Sequence, residues 1–180
     1  MTQPEGGGSV GTGAAADFSV AARFGAEHLI DYHGQALTKI RFKMNEPSAN
    51  YQVTVWTAEP GGDPVIVDTS EWISGTEMEV MTYYAVELSE GIQIDWEVEL
   101  WIGYRVVTPT GSPAGTDVGP AYPYYGDLIY WGGAWLAMSE AFGIDLNWAI
   151  EGYVDAAGGG RILSSMPVID LSNIPNKVTT

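Results

Sequence analysis

The 180-residue sequence predicts an all-β protein: a jelly-roll-like antiparallel β-sandwich with flexible N- and C-terminal arms. Three observations carry that expectation. Several segments alternate apolar and polar residues with a period of two, the pattern of strands with one buried and one wet face. Turn-forming clusters punctuate them at short intervals. No long 3.6-residue apolar period competes, which argues against a parallel α/β fold. Hydrophobic residues make up 46 % of the chain, enough for one sizeable core, and 23 Gly and 10 Pro supply turns.

Residues 1–16 form a Gly/Ala/Ser-rich arm, which alone is expected to be flexible. The sandwich is expected over residues 17–155. In Asp17–Phe24, Phe18, Val20, Ala22 and Phe24 share one face. Ala26–Tyr32 reads as one or two helical turns. Lys39–Met44 puts Ile40, Phe42 and Met44 inward and Lys39, Arg41 and Lys43 outward. Tyr51–Thr57 groups Tyr51, Val53 and Val55. Glu97–Val106 is the clearest strand, with Val98, Leu100, Ile102, Tyr104 and Val106 inward. Its wet face is expected to carry Glu97, Glu99, Trp101 and Arg105. Shorter candidates are Val65–Asp68, Tyr84–Leu88, Asp127–Trp131 and Asn147–Val154, with Trp148 and Ile150 as core. Turns fall at Glu59–Asp63, Ser89–Gly91 and Trp131–Gly133. Residues 156–180 comprise a Gly-rich joint and an apolar extension carrying Ile162, Leu163, Met166, Val168, Ile169 and Leu171. That extension suits a last strand of the same domain; the alternative is addition to a neighbour's sheet edge.

The formal charge of −16 repels phosphate backbones and anionic membranes, so nucleic acid is an unexpected partner. With no cysteine, disulfides, thiolate nucleophiles and Cys-type zinc sites are excluded. No run of about 18 apolar residues is present, so no membrane span is expected. The first residues lack the basic start and apolar run of a secretory signal, which leaves delivery by assembly open. The expected location is extracellular or a virion surface.

Two catalytic patterns match only in form. Gly6–Gly11 fits the dinucleotide fingerprint and Gly7–Gly11 the nucleophile elbow, but neither follows a strand or opens a helix, as the chemistry requires. His28 and His33, the two histidines, lie five apart and off one helical face. With 23 carboxylates in the chain, any one pair is uninformative for glycoside hydrolysis. The stripe of Lys39, Arg41 and Lys43 offers a basic ligand site or, more simply, cross-strand pairs with Glu87, Glu97 or Glu99. Asp117, Asp127 and Asp145 sit near turns and are candidate oxygen ligands of a structural calcium ion; no other cofactor is expected.

The aromatic run is the strongest functional signal. Tyr122, Tyr124, Tyr125, Trp131 and Trp135, with Tyr130 and Asp127 beside them, combine flat apolar rings with a hydroxyl-binding carboxylate. Such rings stack on sugar faces or anchor protein partners; the plainer reading has about half of them filling the core.

Several stretches resemble the cleaved-adhesin-type jelly-roll domains of Bacteroidetes surface proteins. They are Ala21–Phe24, Gly34–Ile40, Tyr51–Trp56, Leu100–Tyr104, Pro113–Ala121, Gly126–Asp127, Gly132–Trp135 and Gly143–Trp148. The resemblance spans residues 17 to about 155 and implies a β-sandwich that binds or displays and does not catalyse. The family often carries cysteine where Thr116 stands, so any role of that thiol is lost here.

Three functions are therefore expected, in order. The first is a non-catalytic structural module on a larger assembly such as a virion or fibre, held by its terminal arms to other subunits as a homo-oligomer or on a scaffold protein. The second is a carbohydrate- or host-binding module whose glycan site uses Tyr124, Tyr125, Trp131 and Trp135. The third is a hydrolase.

Overall fold

The computed structural model describes residues 8–156 and the backbone of 159–164. Thirteen strands and two short helices follow the turn signals. The strands are β1 (Ser9–Val10), β2 (Ala16–Phe24), β3 (Ala36–Lys43), β4 (Asn50–Ala58), β5 (Val65–Thr69), β6 (Ile73–Ser74) and β7 (Tyr83–Gln93). They continue with β8 (Glu99–Thr108), β9 (Ala114–Gly115), β10 (Leu128–Trp131), β11 (Ala134–Ala137), β12 (Ile150–Ala156) and β13 (Gly159–Ser164). Helix α1 (Ala26–Leu29) continues into a 3-10 turn over Ile30–Tyr32, and α2 is Met138–Phe142. The helical turns expected over Ala26–Tyr32 are thus present.

The larger sheet runs β11-β10-β2-β8-β4-β5, with β6 paired to β4 as its seventh strand. The smaller runs β13-β12-β3-β7, and β1 pairs with β9 in a two-stranded ribbon. Every strand pairing is antiparallel. The protein is an all-β sandwich.

The inward faces close one core. Phe42 of β3 meets Tyr104 of β8 at 4.4 Å and Tyr51 of β4 at 5.7 Å, bridging the two sheets at their centre. Burying a ring of this size contributes roughly 2–3 kcal/mol. Ile40, Met44, Val53, Val55, Ile102, Val106, Trp148 and Ile150 are fully buried around them. The Trp148 indole N–H donates to the Leu128 carbonyl at 2.7 Å, so its polar atom is satisfied inside.

The outer face of β8 departs from expectation. Glu99 and Trp101, expected in water, are buried. Trp101 packs with Ala21, Trp56 and Leu128 in a second apolar cluster, capped by Trp135 from β11. Glu99 takes a 2.5 Å ion pair from Arg23 and the Trp101 indole N–H at 3.0 Å. The basic stripe also differs. Arg41 pairs with Glu151, because β12 lies beside β3, while Lys39 and Lys43 sit over the Tyr153 and Tyr83 rings. Glu97 and Glu99 flank and occupy the larger sheet and cannot face this stripe. Glu87 lies opposite Lys39 in the β3–β7 register.

Of the first sixteen residues, 8–16 belong to the fold: β1 pairs with β9, and the Gly13 N–H donates to the Gly111 carbonyl at 3.0 Å. β13, in the first part of the apolar extension, pairs antiparallel with β12 and so belongs to the same domain's smaller sheet. Residues 165–180, the rest of the apolar extension, lie outside the described residues. No helix among the described residues is long and apolar enough to cross a membrane.

Candidate functional site

The β10–β11 hairpin turns through Gly132 and Gly133, both at positive φ (64° and 89°), the geometry that a two-residue antiparallel turn requires. Its register sets Tyr130 opposite Trp135, and Trp131 opposite Ala134. Neighbouring residues on a strand point to opposite faces, so Tyr130 and Trp135 share the outer face while Trp131 takes the other, where it stays 38 % exposed. There Trp131 lies edge-on to Phe18 at 6.1 Å and lines an apolar cavity of about 240 Å3 with Met138 and Phe142.

Across the outer face of the larger sheet, one register row holds Trp135, Tyr130, Ser19, Arg105 and Gln52, one residue from each of β11, β10, β2, β8 and β4. At about 4.8 Å per strand, that row spans roughly 19 Å. The next row has small residues at its centre, Ala21 and Gly103, followed by Thr54. At Gly103 a Cβ would lie 1.9 Å from the Val20 carbonyl oxygen, so β2 and β8 approach closely only because a glycine stands there. Over this low ground Trp135 reaches back to lie 5.2 Å from Trp101 and 5.3 Å from Trp56. Rings rooted as much as four strands apart thus meet over the sheet.

The result is an open groove of about 530 Å3. Its apolar lining is Trp135, Tyr130, Trp56, Pro64 and Ile66, with the Trp135 and Trp56 rings in contact. Ser19, Gln52, Thr54 and Thr69 bring hydroxyl and amide groups to its floor. Two charged side chains line it, Asp17 and Arg105. They bond to each other through two hydrogen bonds, Nε to Oδ1 at 2.8 Å and Nη2 to Oδ2 at 2.6 Å, with both side chains 48 % exposed. The hydrogen bond from Arg105 holds the Asp17 carboxyl below its ordinary range and raises Arg105 in turn.

Of the residues singled out from the aromatic run, Trp135 and Tyr130 line this groove. Tyr122, Tyr124 and Tyr125 lie at a separate corner. Tyr122 and Tyr125 pack at 4.8 Å with His28 beside them, and the Arg23 guanidinium sits 5.1 Å above Tyr125. Burial, then the nearby Glu27 charge, raises the Tyr125 phenol. Tyr124 donates its hydroxyl to Glu140, which raises its own phenol.

The three aspartates also have defined partners. Asp127 is fully buried; its carboxylate accepts the Tyr124 N–H at 2.8 Å and the Ser139 N–H and hydroxyl at 3.0 and 2.5 Å. Asp117 accepts the Gly119 and Asn147 N–H groups at 2.8 and 2.9 Å, and Asp145 accepts the Ala121 N–H at 2.8 Å. Together with Asn147, which accepts the Tyr122 N–H at 2.6 Å, they fasten the loop before β10. Among the described residues, no group of three or more His, Asp or Glu side chains is placed to hold a metal ion.

Sequence reasoning missed Asp17, Ser19, Gln52, Thr54, Trp56 and Arg105 as site residues. Their signal was present as the outward positions of three recognised strands, but the neighbours in the row come from strands far apart in the chain. Compared with protein-family models, curated proteins and solved structures, the chain matches none.

Proposed function

We propose that this chain is a non-catalytic, surface-displayed binding module that holds a carbohydrate chain across the outer face of its larger sheet. The observation that carries the reading is the transverse row Trp135–Tyr130–Ser19–Arg105–Gln52 in an open groove. Sugars present apolar C–H faces and rings of hydroxyls. The row offers aromatic faces at one end and hydroxyl, guanidinium and amide groups along the rest, the mixture such a ligand needs. Its direction across the strands and its openness suit an extended polymer, whose ends run on past the protein.

The test is calorimetric titration with neutral hexasaccharides (cellohexaose, xylohexaose, mannohexaose) against the wild type and Trp135→Ala. The reading expects at least one to bind, with affinity falling about tenfold or more when the indole is removed. Absence of binding across the panel, or binding unaffected in the variant, would refute it.

A second reading, a structural module of a larger assembly, is favoured by β5. This edge strand of the larger sheet exposes Val65, Ile66 and Val67 at 65, 58 and 48 %. Unguarded apolar edges invite strand addition. If assembly uses this edge, Ile66→Lys lowers the sedimentation-measured oligomer; an unchanged distribution speaks against it.

A further inference from the structure

We infer that Asp17 is the specificity-determining residue of the groove: by occupying Arg105, it makes the site select neutral over anionic glycans. This rests on the proposed reading of the groove as a carbohydrate site. Arg105 stands in the transverse row, opposite Ser19 on one side and Gln52 on the other. A guanidinium so placed is the natural recognition group for a uronate carboxylate or a sulfate, because its fork matches two anionic oxygens. Here the Nε/Nη2 edge of that fork is already filled by the Asp17 carboxylate, whose charge offsets the cation. Among the described residues, no other cation lines the groove.

The surroundings act in the same direction. The protein carries a formal charge of −16, so an anionic chain is repelled on approach, and salt screens that repulsion only partly at groove distances. An anionic sugar must therefore either displace Asp17 or take the remaining guanidinium edge with its own charge set beside the Asp17 carboxylate. A neutral sugar meets no such conflict. Its hydroxyls can donate to the outward lone pairs of Asp17 and accept from Arg105, with the ion pair intact.

The experiment compares xylohexaose, cellohexaose and mannohexaose with hexagalacturonic acid. The proteins are the wild type, Asp17→Asn, Asp17→Asn with Arg105→Gln, and Glu90→Gln. Glu90 is exposed on β7 of the smaller sheet and controls for the change in net charge. The wild type is expected to bind the best neutral ligand about tenfold or more tighter than the uronate. Asp17→Asn frees Arg105 and should shift the ratio of uronate to neutral affinity by about tenfold toward the uronate. The double variant should lose that shift, and Glu90→Gln should not show it. Equal binding of both classes by the wild type overturns the inference, as does an Asp17→Asn protein whose preference is unchanged. In both cases the groove reading survives. If no ligand of either class binds any variant, the groove reading itself falls and takes this inference with it.

Discussion

Replacing Glu99 with alanine tests how the outer face is held. The carboxylate is buried and has three donors: the Arg23 guanidinium at 2.5 Å, the Trp101 indole N–H at 3.0 Å and the Gly61 N–H at 3.3 Å. Its removal leaves a guanidinium between the Tyr125 and Trp101 rings with no counter-charge, and an indole N–H turned into an apolar cluster. A hydrogen bond to a charged group is worth about 1.5–3 kcal/mol and a neutral one about 1 kcal/mol. The Arg23 side chain is 24 % exposed and recovers part of its hydration, so the expected net cost is about 3 kcal/mol. At a urea slope of about 2 kcal/mol/M, that moves the unfolding midpoint by about 1.5 M. Tryptophan fluorescence reads the transition, and a double-mutant cycle with Arg23→Ala isolates the pair. The two single losses should exceed the double loss by about 1 kcal/mol or more. A Glu99→Ala protein within about 0.5 kcal/mol of the wild type, or losses that simply add, would refute this account of the outer face.

Three further outcomes follow from the same geometry. Gly103→Ala places a Cβ 1.9 Å from the Val20 carbonyl oxygen and 2.9 Å from the Ala21 Cα, so β2 and β8 must separate; a loss of about 1–3 kcal/mol or more in chemical denaturation is expected. In alkaline titration followed at 295 nm, the Tyr83 phenol is pushed up to about 12 by burial and then by Glu151. Tyr51 and Tyr104 are raised further, also by burial. Raised folded values mean this stabilisation is complete below pH ~10, where unfolded tyrosine ionises, and is lost as pH climbs through the folded values. These phenols should therefore appear together with unfolding, and their ionisation in a still-folded protein at pH ~10.5 would contradict their burial. At the acid end, the depressed Asp17 carboxyl gives the reverse sign. Its pairing contributes above its ordinary 3.8 and is lost as pH falls through the lower folded value. Exposure limits it to about 1 kcal/mol, so Asp17→Asn and the wild type should converge in stability once pH falls below that lowered value.

The buried half of the fold was legible in the residues. Period-two alternation identified Ile40, Phe42 and Met44, Tyr51, Val53 and Val55, and Leu100, Ile102, Tyr104 and Val106, and all ten are in the core; Val98, expected inward with the last four, precedes β8 and is half-buried outside the core. It misjudged Glu99 and Trp101, because alternation says which face a residue takes and not what lies on that face. A distant hairpin lays Trp135 over Trp101, Arg23 of β2 pairs with Glu99, and nothing local to β8 announces either. The candidate site shows the same division. The aromatic run was read as one surface, yet Tyr130 and Trp131 are adjacent on a strand and must point opposite ways. That much was available from the sequence. The row that joins Trp135 to Gln52 was not, since it needs the order β11-β10-β2-β8-β4, which skips back and forth along the chain. Arg41 chose Glu151 over the three acids considered for the same reason: sheet neighbours come from topology.

The most direct measurement of the groove reading is the 1H–15N spectrum of the indole N–H groups while the tightest-binding neutral hexasaccharide is added. Seven tryptophans give seven reporters. Trp135 and Trp56 should shift with a common saturation curve, Trp148 should stay fixed in the core, and Trp131 on the opposite face should move little. Shifts centred on Trp131 with Trp135 and Trp56 unmoved would place the ligand elsewhere and contradict the account.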